Sequence, residues 1–485
     1  MAERPSDAER EPLEREIERQ RRENEQLRED RDRLRRETDD LKRERERLRR
    51  EIERLSAALE AARRAGFRQA APFAKVQHQG TGRPPGRRPG VGYGRHGRRR
   101  IPTTITETHE APLPTACPDC GGALRRLRIA DQYQEDVPVV RPVVRRFRVH
   151  VGTCRVCGRR AQGRHPLQTS DALGAAAVHL GPHAVALAVV LHKGLGLPLG
   201  KVARLFRDQF GVHVSRGALV HVCARVAAKA TPTYDALCAQ VRGSPVVSPD
   251  ETGWKVAGRL HWLWAFATPD TTVYAIQPGR GFAEAAAILG VDFAGVLARD
   301  GWAPYRRFTH ATHQTCLAHL LRRCRLLRLD HPRSPFAPRV QTVLQQALAL
   351  RDRRTAGTIS AHGFAVARGR LLTKLLDVLP QQSTVPAVQR FAAHLRTEAA
   401  ALLTFLGDPA VDATNWRAEH AIRPAVVMRK VCGGNRSARG ATTQQVLASI
   451  LRTAHQRDVD ATGLLVPLLR ASRPIVPPEL QRGLQ

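Results

Sequence analysis

Nowhere in the 485 residues is there the roughly 18 to 20 uninterrupted apolar positions that a membrane-spanning helix requires. The first residues also lack a basic head followed by an apolar run and a small-residue cleavage site, so neither a membrane protein nor an exported one is expected. Acidic residues are scarce: 45 Asp and Glu stand against 79 Lys and Arg, for a formal net charge of +34. An imbalance of this size needs a polyanionic partner, and nucleic acid is the first candidate. Cysteines number nine, an odd count, and four fall into two close pairs. In a reducing compartment that pattern indicates a metal before it indicates disulfides. The chain is long enough for several domains, and with 42% hydrophobic residues most of it should fold.

Residues 8–65 are dominated by Glu and Arg, with Leu27, Leu34, Leu41, Leu48 and Leu55 in a strict seven-residue repeat. That repeat predicts a coiled-coil seam and hence a homodimer. The alternate seam positions, Ile17, Asn24, Arg31, Thr38, Arg45 and Ile52, are half polar, and a buried Asn24 would favour a two-stranded register. Residues 66–105 form a Gly/Pro/Arg linker. Its breakers prevent a packed core, and Arg87, Arg88, Arg98, Arg99 and Arg100 are placed to neutralise phosphates without reading base sequence.

Within residues 106–165, Cys117 and Cys120 ("CPDC") and Cys154 and Cys157 ("CRVC") form two knuckles. Two residues between cysteines let both sulfurs reach one tetrahedral zinc ion at about 2.3 Å, so a structural four-thiolate zinc ribbon is expected. The strand-like runs near residues 137–151 would close it. Residues 172–235 read as helices. A helix reaching Gly211, a short turn and a second helix capped by Ser215 resemble a helix-turn-helix, whose second helix would carry Arg216 and His221 toward DNA.

From residue 244 the pattern changes to short strands: 246–248, 260–267 and 271–277, then a helix near 283–289 and a further strand within 295–305. This order, with Asp250 and Asp300 at the ends of the first and fourth strands, is that of a ribonuclease-H-like domain, here spanning 244–455 with a helical insertion at about 320–410. Two neighbouring carboxylates repel unless a cation lies between them, and hard oxygen ligands suit Mg2+ or Mn2+. Phosphodiester chemistry calls for two such ions about 3.5 to 4 Å apart. Glu419 is the candidate third acid, on a helix that Asn415 can cap; Arg423 shares its face, and Lys430 would follow if Pro424 did not kink or end the helix. Glu251 rivals Asp250, but alternation along a strand should turn it to the opposite face. Residues 456–485 read as a C-terminal tail.

Taken together, the leucine-repeat helix, the basic linker, the paired cysteines, "DETGW", "DGWAPY", "CLAHLLRR" and "AEHAIRP" followed by "RK" resemble, nearly end to end, transposases of the insertion sequence 66 family. The resemblance implies a bacterial, cytoplasmic, nucleoid-associated DDE-type enzyme with Asp250, Asp300 and Glu419 as its triad. It implies Arg423, Arg429 and Lys430 as phosphate contacts, and Cys316 and His319 in support. DNA ends, target DNA and small accessory proteins are the partners it implies. Two departures stand out: Thr414, Asn415 and Trp416 replace Asp-Asn-Asn, and His420 replaces an arginine. His420 could make a phosphate contact pH dependent. The alternatives are a DNA-binding regulator that has lost catalysis, and a nuclease that cleaves without joining.

Overall fold

A computed structural model describes residues 7–66, 99–125, 128–379, 383 and 385–481. Arg87, Arg88 and Arg98 of the basic linker lie outside the described residues. The chain divides into two units, Met1–Arg99 and Arg100–Gln485.

The first unit contains one long helix, α1 (Asp7–Gly66). Exposed ion pairs one turn apart, such as Arg33 with Asp30 at 2.7 Å and Arg43 with Asp40 at 2.7 Å, line it. Each contributes only a few tenths of a kcal/mol, ~0.2 to 0.5. Leu34, Leu41 and Leu48 of the repeat are 57%, 71% and 54% exposed.

The second unit starts with the cysteine-bearing segment. Among its described residues a short hairpin forms, β1 (Val151–Thr153) with β2 (Arg160–Gln162) around the second knuckle. The expected strand pairing across residues 137–150 is absent: Val139 and Val144 are 89% and 88% exposed. Pro138 and Pro142 each remove a donor that a ladder would need.

Three helices follow: α2 (Pro182–Val189), α3 (Leu199–Phe210) and α4 (Arg216–Arg242). The turn between α3 and α4 is built as the sequence predicts. Gly211 takes a left-handed φ of 64°, and the Ser215 hydroxyl accepts the Ala218 N–H at 3.1 Å. α4 then runs 27 residues, and Val222, Val226, Leu237 and Val241 enter the main core. α4 is therefore continuous with the sheet domain, and Arg216 and His221 in its first turns are exposed.

The central sheet has five strands: β3 (Val246–Val256), β4 (Arg259–Ala267), β5 (Thr272–Gln277), β6 (Val296–Arg299) and β7 (Thr312–Thr315), in the order β5-β4-β3-β6-β7. β3, β4 and β5 are antiparallel, while β6 and β7 join parallel to β3. A tight turn at Ala257 and Gly258, both at positive φ (50° and 79°), connects β3 to β4. β3 is longer than the sequence suggests and carries its acids mid-strand. The short helix α5 (Phe282–Leu289) separates β5 from β6. β7 has no apolar signature in the sequence; its Gln314 and Thr315 are buried and bonded to polar groups.

Between β7 and the last helices lies an insertion of four helices, α6 (Leu317–Asp330), α7 (Phe336–Thr355), α8 (Ala361–Val378) and α9 (Pro386–Thr397). It has its own apolar core around Leu320, Val340, Leu344, Phe391 and Phe405. The chain then returns as α10 (Trp416–Cys432), which packs on β3 and β4, and α11 (Ala438–Gln456), which packs on β5 and α4. The segment expected as a tail contains α12 (Ala461–Arg470), whose Leu464, Leu465 and Leu468 are buried in the main core with Leu480. The result is a mixed α+β architecture compatible with a ribonuclease-H-like core. Among the described residues, no helix is long and apolar enough to cross a membrane.

Candidate active site

Register explains why two acids fifty residues apart come level. β3 pairs in parallel with β6 at Val246–Val296 and Val247–Leu297. Asp250 and Asp300 each follow their paired valine by four residues, so they stand side by side beyond the last shared pair. There β3 stays bonded to β4 as far as Val256 but no longer to β6, which opens a notch at the acids. Pro249, with no N–H to offer a ladder, lies two residues past that last pair.

Local bonds fix both carboxylates. One Asp250 oxygen accepts the Glu251 N–H at 2.9 Å, and one Asp300 oxygen accepts the Trp302 N–H at 2.9 Å. Burial pushes the Asp250 carboxyl well above the usual carboxylate range, and the charges of Glu251, Asp300 and Glu419 push it further. The three predicted acids therefore share one electrostatic neighbourhood, and ionising Asp250 there costs energy that a cation would offset. Hard carboxylate oxygens are the donors that Mg2+ or Mn2+ prefers, so this set fits such ions chemically. Among the described residues, however, no three His, Cys, Asp or Glu side chains close into a finished metal cage.

Glu251 is engaged elsewhere. Its oxygens accept from the Tyr305 hydroxyl at 2.5 Å and the Arg280 guanidinium at 2.7 Å, and its side chain is buried. Arg280 is held in turn between the rings of Trp262 and Trp302, at 4.7 and 4.0 Å. Asp250 is thus the member of the pair left for the notch.

Glu419 sits in the first turn of α10, and three ties hold this helix, two to β3 and one to α6. Asn415 does not cap it with its side chain. Instead the amide donates to the Pro249 carbonyl at 2.9 Å, next to Asp250, while its backbone N–H donates to the Cys316 sulfur at 3.2 Å. His319 meets the Glu419 carboxylate at 3.7 Å. Cys316 and His319 therefore link α6 to α10. The third tie is Arg429: its guanidinium donates to the Thr252 hydroxyl at 3.1 Å and to the Gly253 carbonyl, so it holds helix to strand where the sequence suggested a free phosphate contact.

Pro424 does not end α10, which continues to Cys432. The carbonyl that a proline at this position leaves unpaired belongs to His420, an exposed residue that water can serve. Arg423 and Lys430 are exposed, as expected of phosphate contacts. His420 accepts from Arg452 at 2.8 Å, and burial together with that cation pushes its pKa below the ordinary value. Any pH dependence its charge brings to a phosphate contact is thereby moved to lower pH.

Sequence reasoning missed Glu398, a carboxylate enclosed by the fold. It is 1% exposed and accepts from Arg299 at 2.7 Å, Arg306 at 2.9 Å and the Thr315 hydroxyl at 2.7 Å. Arg299, itself 2% exposed, also donates to the backbone carbonyl of Asp300 at 3.0 Å. Nothing local distinguishes Glu398 in "LRTEAAALL", because its partners lie about a hundred residues earlier, on β6, on β7 and on the short helical turn between them.

The cysteine pairs adopt the same turn twice. Gly121 donates to the Cys117 carbonyl and Gly158 to the Cys154 carbonyl, each at 2.9 Å, with φ of 69° and 67°. Cys117 and Cys154 are both lowered from the ordinary thiol value, chiefly by backbone N–H groups of their own knuckles. Thiolates in such turns fit zinc. The two knuckles do not converge on one another among the described residues.

A five-stranded mixed sheet of this order, with acids level on adjoining strands and a third on a packed helix, is compatible with the ribonuclease-H-like class. Within that class the chain belongs to the IS66 family of transposases: the family model described as "Transposase IS66 family" matches residues 177–443, more than half of the chain. A relative in Sinorhizobium fredii (strain NBRC 101917 / NGR234), "Uncharacterized protein y4jD", is 27% identical over 397 residues, spanning 74% of this chain and 75% of that protein.

Proposed function

We propose that this transposase cuts the ends of its insertion sequence with a metal-activated water and joins the freed ends to target DNA, using Asp250, Asp300 and Glu419. The observation that carries the reading is the level register of Asp250 with Asp300, together with the influence of Glu419's charge on Asp250. In the first step a water oxygen bonds to phosphorus as the bond to the 3′ oxygen breaks, leaving a 3′ hydroxyl and a 5′ phosphate. In the second, that 3′ oxygen bonds to a target phosphorus and displaces the target's own 3′ oxygen. Both are in-line displacements, so one site serves both.

Asp250, Asp300 and Glu419 would hold Mg2+ or Mn2+. When bound, a pair of such ions supplies Lewis acidity at the attacking and leaving oxygens. Arg423 and Lys430 neutralise DNA phosphates beside the acids, and Arg216 on the exposed end of α4 offers a further contact. Arg99 and Arg100, both exposed, would neutralise further phosphates. Each knuckle, Cys117 with Cys120 and Cys154 with Cys157, would supply two thiolates to structural zinc. A cytoplasmic, nucleoid-associated protein assisted by small accessory proteins completes the proposal.

The direct test is cleavage and joining of labelled element ends by the purified protein with Mg2+ or Mn2+, with EDTA as control. Joined product that disappears with EDTA is expected. Tight binding without cleavage under either metal favours a regulator, and cleavage without joining favours a nuclease.

Pairing of two subunits through α1 would keep both element ends in one complex. Replacing Leu34, Leu41 and Leu48 together with glutamate should weaken the dimer more than about a hundredfold, since each leucine buried in a seam contributes roughly 1.5 to 3 kcal/mol. Sedimentation equilibrium reads the change, and a triple variant that remains dimeric sinks the coiled-coil reading.

A further inference from the structure

We propose that the groove between α7 and α8 of the helical insertion is a second binding surface for the DNA backbone, away from the acids. The proposal rests on the chain acting on DNA. The groove has a volume of about 610 Å3. Its rim carries Arg353, His362, Arg370 and Lys374, all exposed, over a floor that includes the buried Leu350 and Leu371. Small side chains open it: Gly363 and Ala367 lie one turn apart on α8, with Ala349 on α7.

Charge selects the occupant. Among the described residues no carboxylate lines this groove, and Arg353, Arg370 and Lys374 have no acidic partner. The nearby Asp352 pairs with Arg351 at 2.7 Å. Lys374 touches only a neutral group, the Gln346 amide oxygen at 3.2 Å. Three permanent cations held on one surface without acids between them repel each other, a cost that the chain's own groups do not offset and that a polyanion would.

Spacing agrees. His362 and Lys374 are twelve residues apart on one helix, about 18 Å at 1.5 Å per residue. One DNA strand carries a phosphate about every 3.4 Å of axis, so the rim runs alongside roughly five of them. Arg370 and Lys374 share a face of α8, and Arg353 approaches from α7 near the connecting turn. The groove presents long cationic side chains and no array of base-reading groups, so it contacts backbone and would not itself read sequence.

The test compares the full chain with an Arg353→Ala/Arg370→Ala/Lys374→Ala variant for binding of a labelled duplex bearing one element end, across a range of salt. Each neutralised phosphate contributes about 0.9 to the slope of log affinity against log salt, so the triple variant should lose about 2 to 3 in slope. Competition with inorganic phosphate at the same ionic strength should not reproduce that loss. A slope equal to wild type overturns the proposal and redirects the groove to an acidic polypeptide. If the triple variant melts at a lower temperature, Lys374→Gln alone should still lose about 1 in slope, and no change there overturns the proposal equally. Failure of wild type to bind the duplex at all instead overturns the reading of the chain as a DNA-acting transposase.

Discussion

Asp300→Ala is expected to lower metal-dependent end cleavage by about three orders of magnitude or more, equivalent to at least roughly 4 kcal/mol of barrier, while leaving end binding within a few fold of wild type. The asymmetry follows from position. Asp300 follows the last residue of β6 and holds the short turn that begins at Gly301 by accepting the Trp302 N–H. It is not among the cations that meet phosphates. Its loss removes a hard oxygen donor and part of the field that presses on Asp250, yet leaves Arg423 and Lys430 exposed as before. Gel-shift affinity and single-turnover cleavage on the same labelled end give the two readouts. Cleavage at wild-type rate sinks the assignment of Asp300, and a parallel collapse of binding points to a structural defect.

Glu398→Ala should destabilise the second unit by about 3 to 5 kcal/mol. Removing this carboxylate strands Arg299, a guanidinium that is 2% exposed, without its counter-charge, and frees Arg306 and Thr315 as well. Breaking one partner of a buried pair costs more than the pair itself contributes, because the survivor cannot reach water. Urea unfolding midpoints measure it. Through the Arg299 bond to the Asp300 carbonyl, the change should also disturb the acid it supports, which makes Glu398 a positioning residue.

The same network predicts an acid dependence. Burial pushes the Glu398 carboxyl up, but Arg299, Thr315 and Arg306 outweigh it and leave the folded pKa below the ordinary value. A depressed folded pKa contributes stability that is present above the unfolded value, about 4.3, and is lost as pH falls through the folded one. Wild type should therefore lose stability below that window, and Glu398→Gln should lose less over the same range because it has no proton to take up. Equal acid sensitivity in the two proteins contradicts this role.

Much of the architecture is legible in the sequence because its signals are local. Continuous apolar and aromatic runs mark β4 and β5, the seven-residue leucine repeat marks α1, and Gly211 with Ser215 marks the turn between α3 and α4. These are statements about neighbours in the chain, and backbone geometry alone enforces them. The acids Asp250, Asp300 and Glu419 stand out the same way, as polar residues in the motifs "DETGW", "DGWAPY" and "AEHAIRP".

What tertiary structure decided is what each group touches across long separations. Register between β3 and β6 brought Asp250 level with Asp300. Packing of α10 on β3 converted Asn415 from an expected cap into a clamp on Pro249, and turned Arg429 from an expected DNA contact into a brace for Thr252. The polar strand β7 and the buried Glu398 gave no periodic signal, because they are stabilised by hydrogen bonds and charges supplied from distant segments. Sequence determines locally which residues prefer helix, strand or turn; burial and charge pairing depend on partners that only the folded chain brings within a few ångströms, where desolvation and Coulomb energies become large.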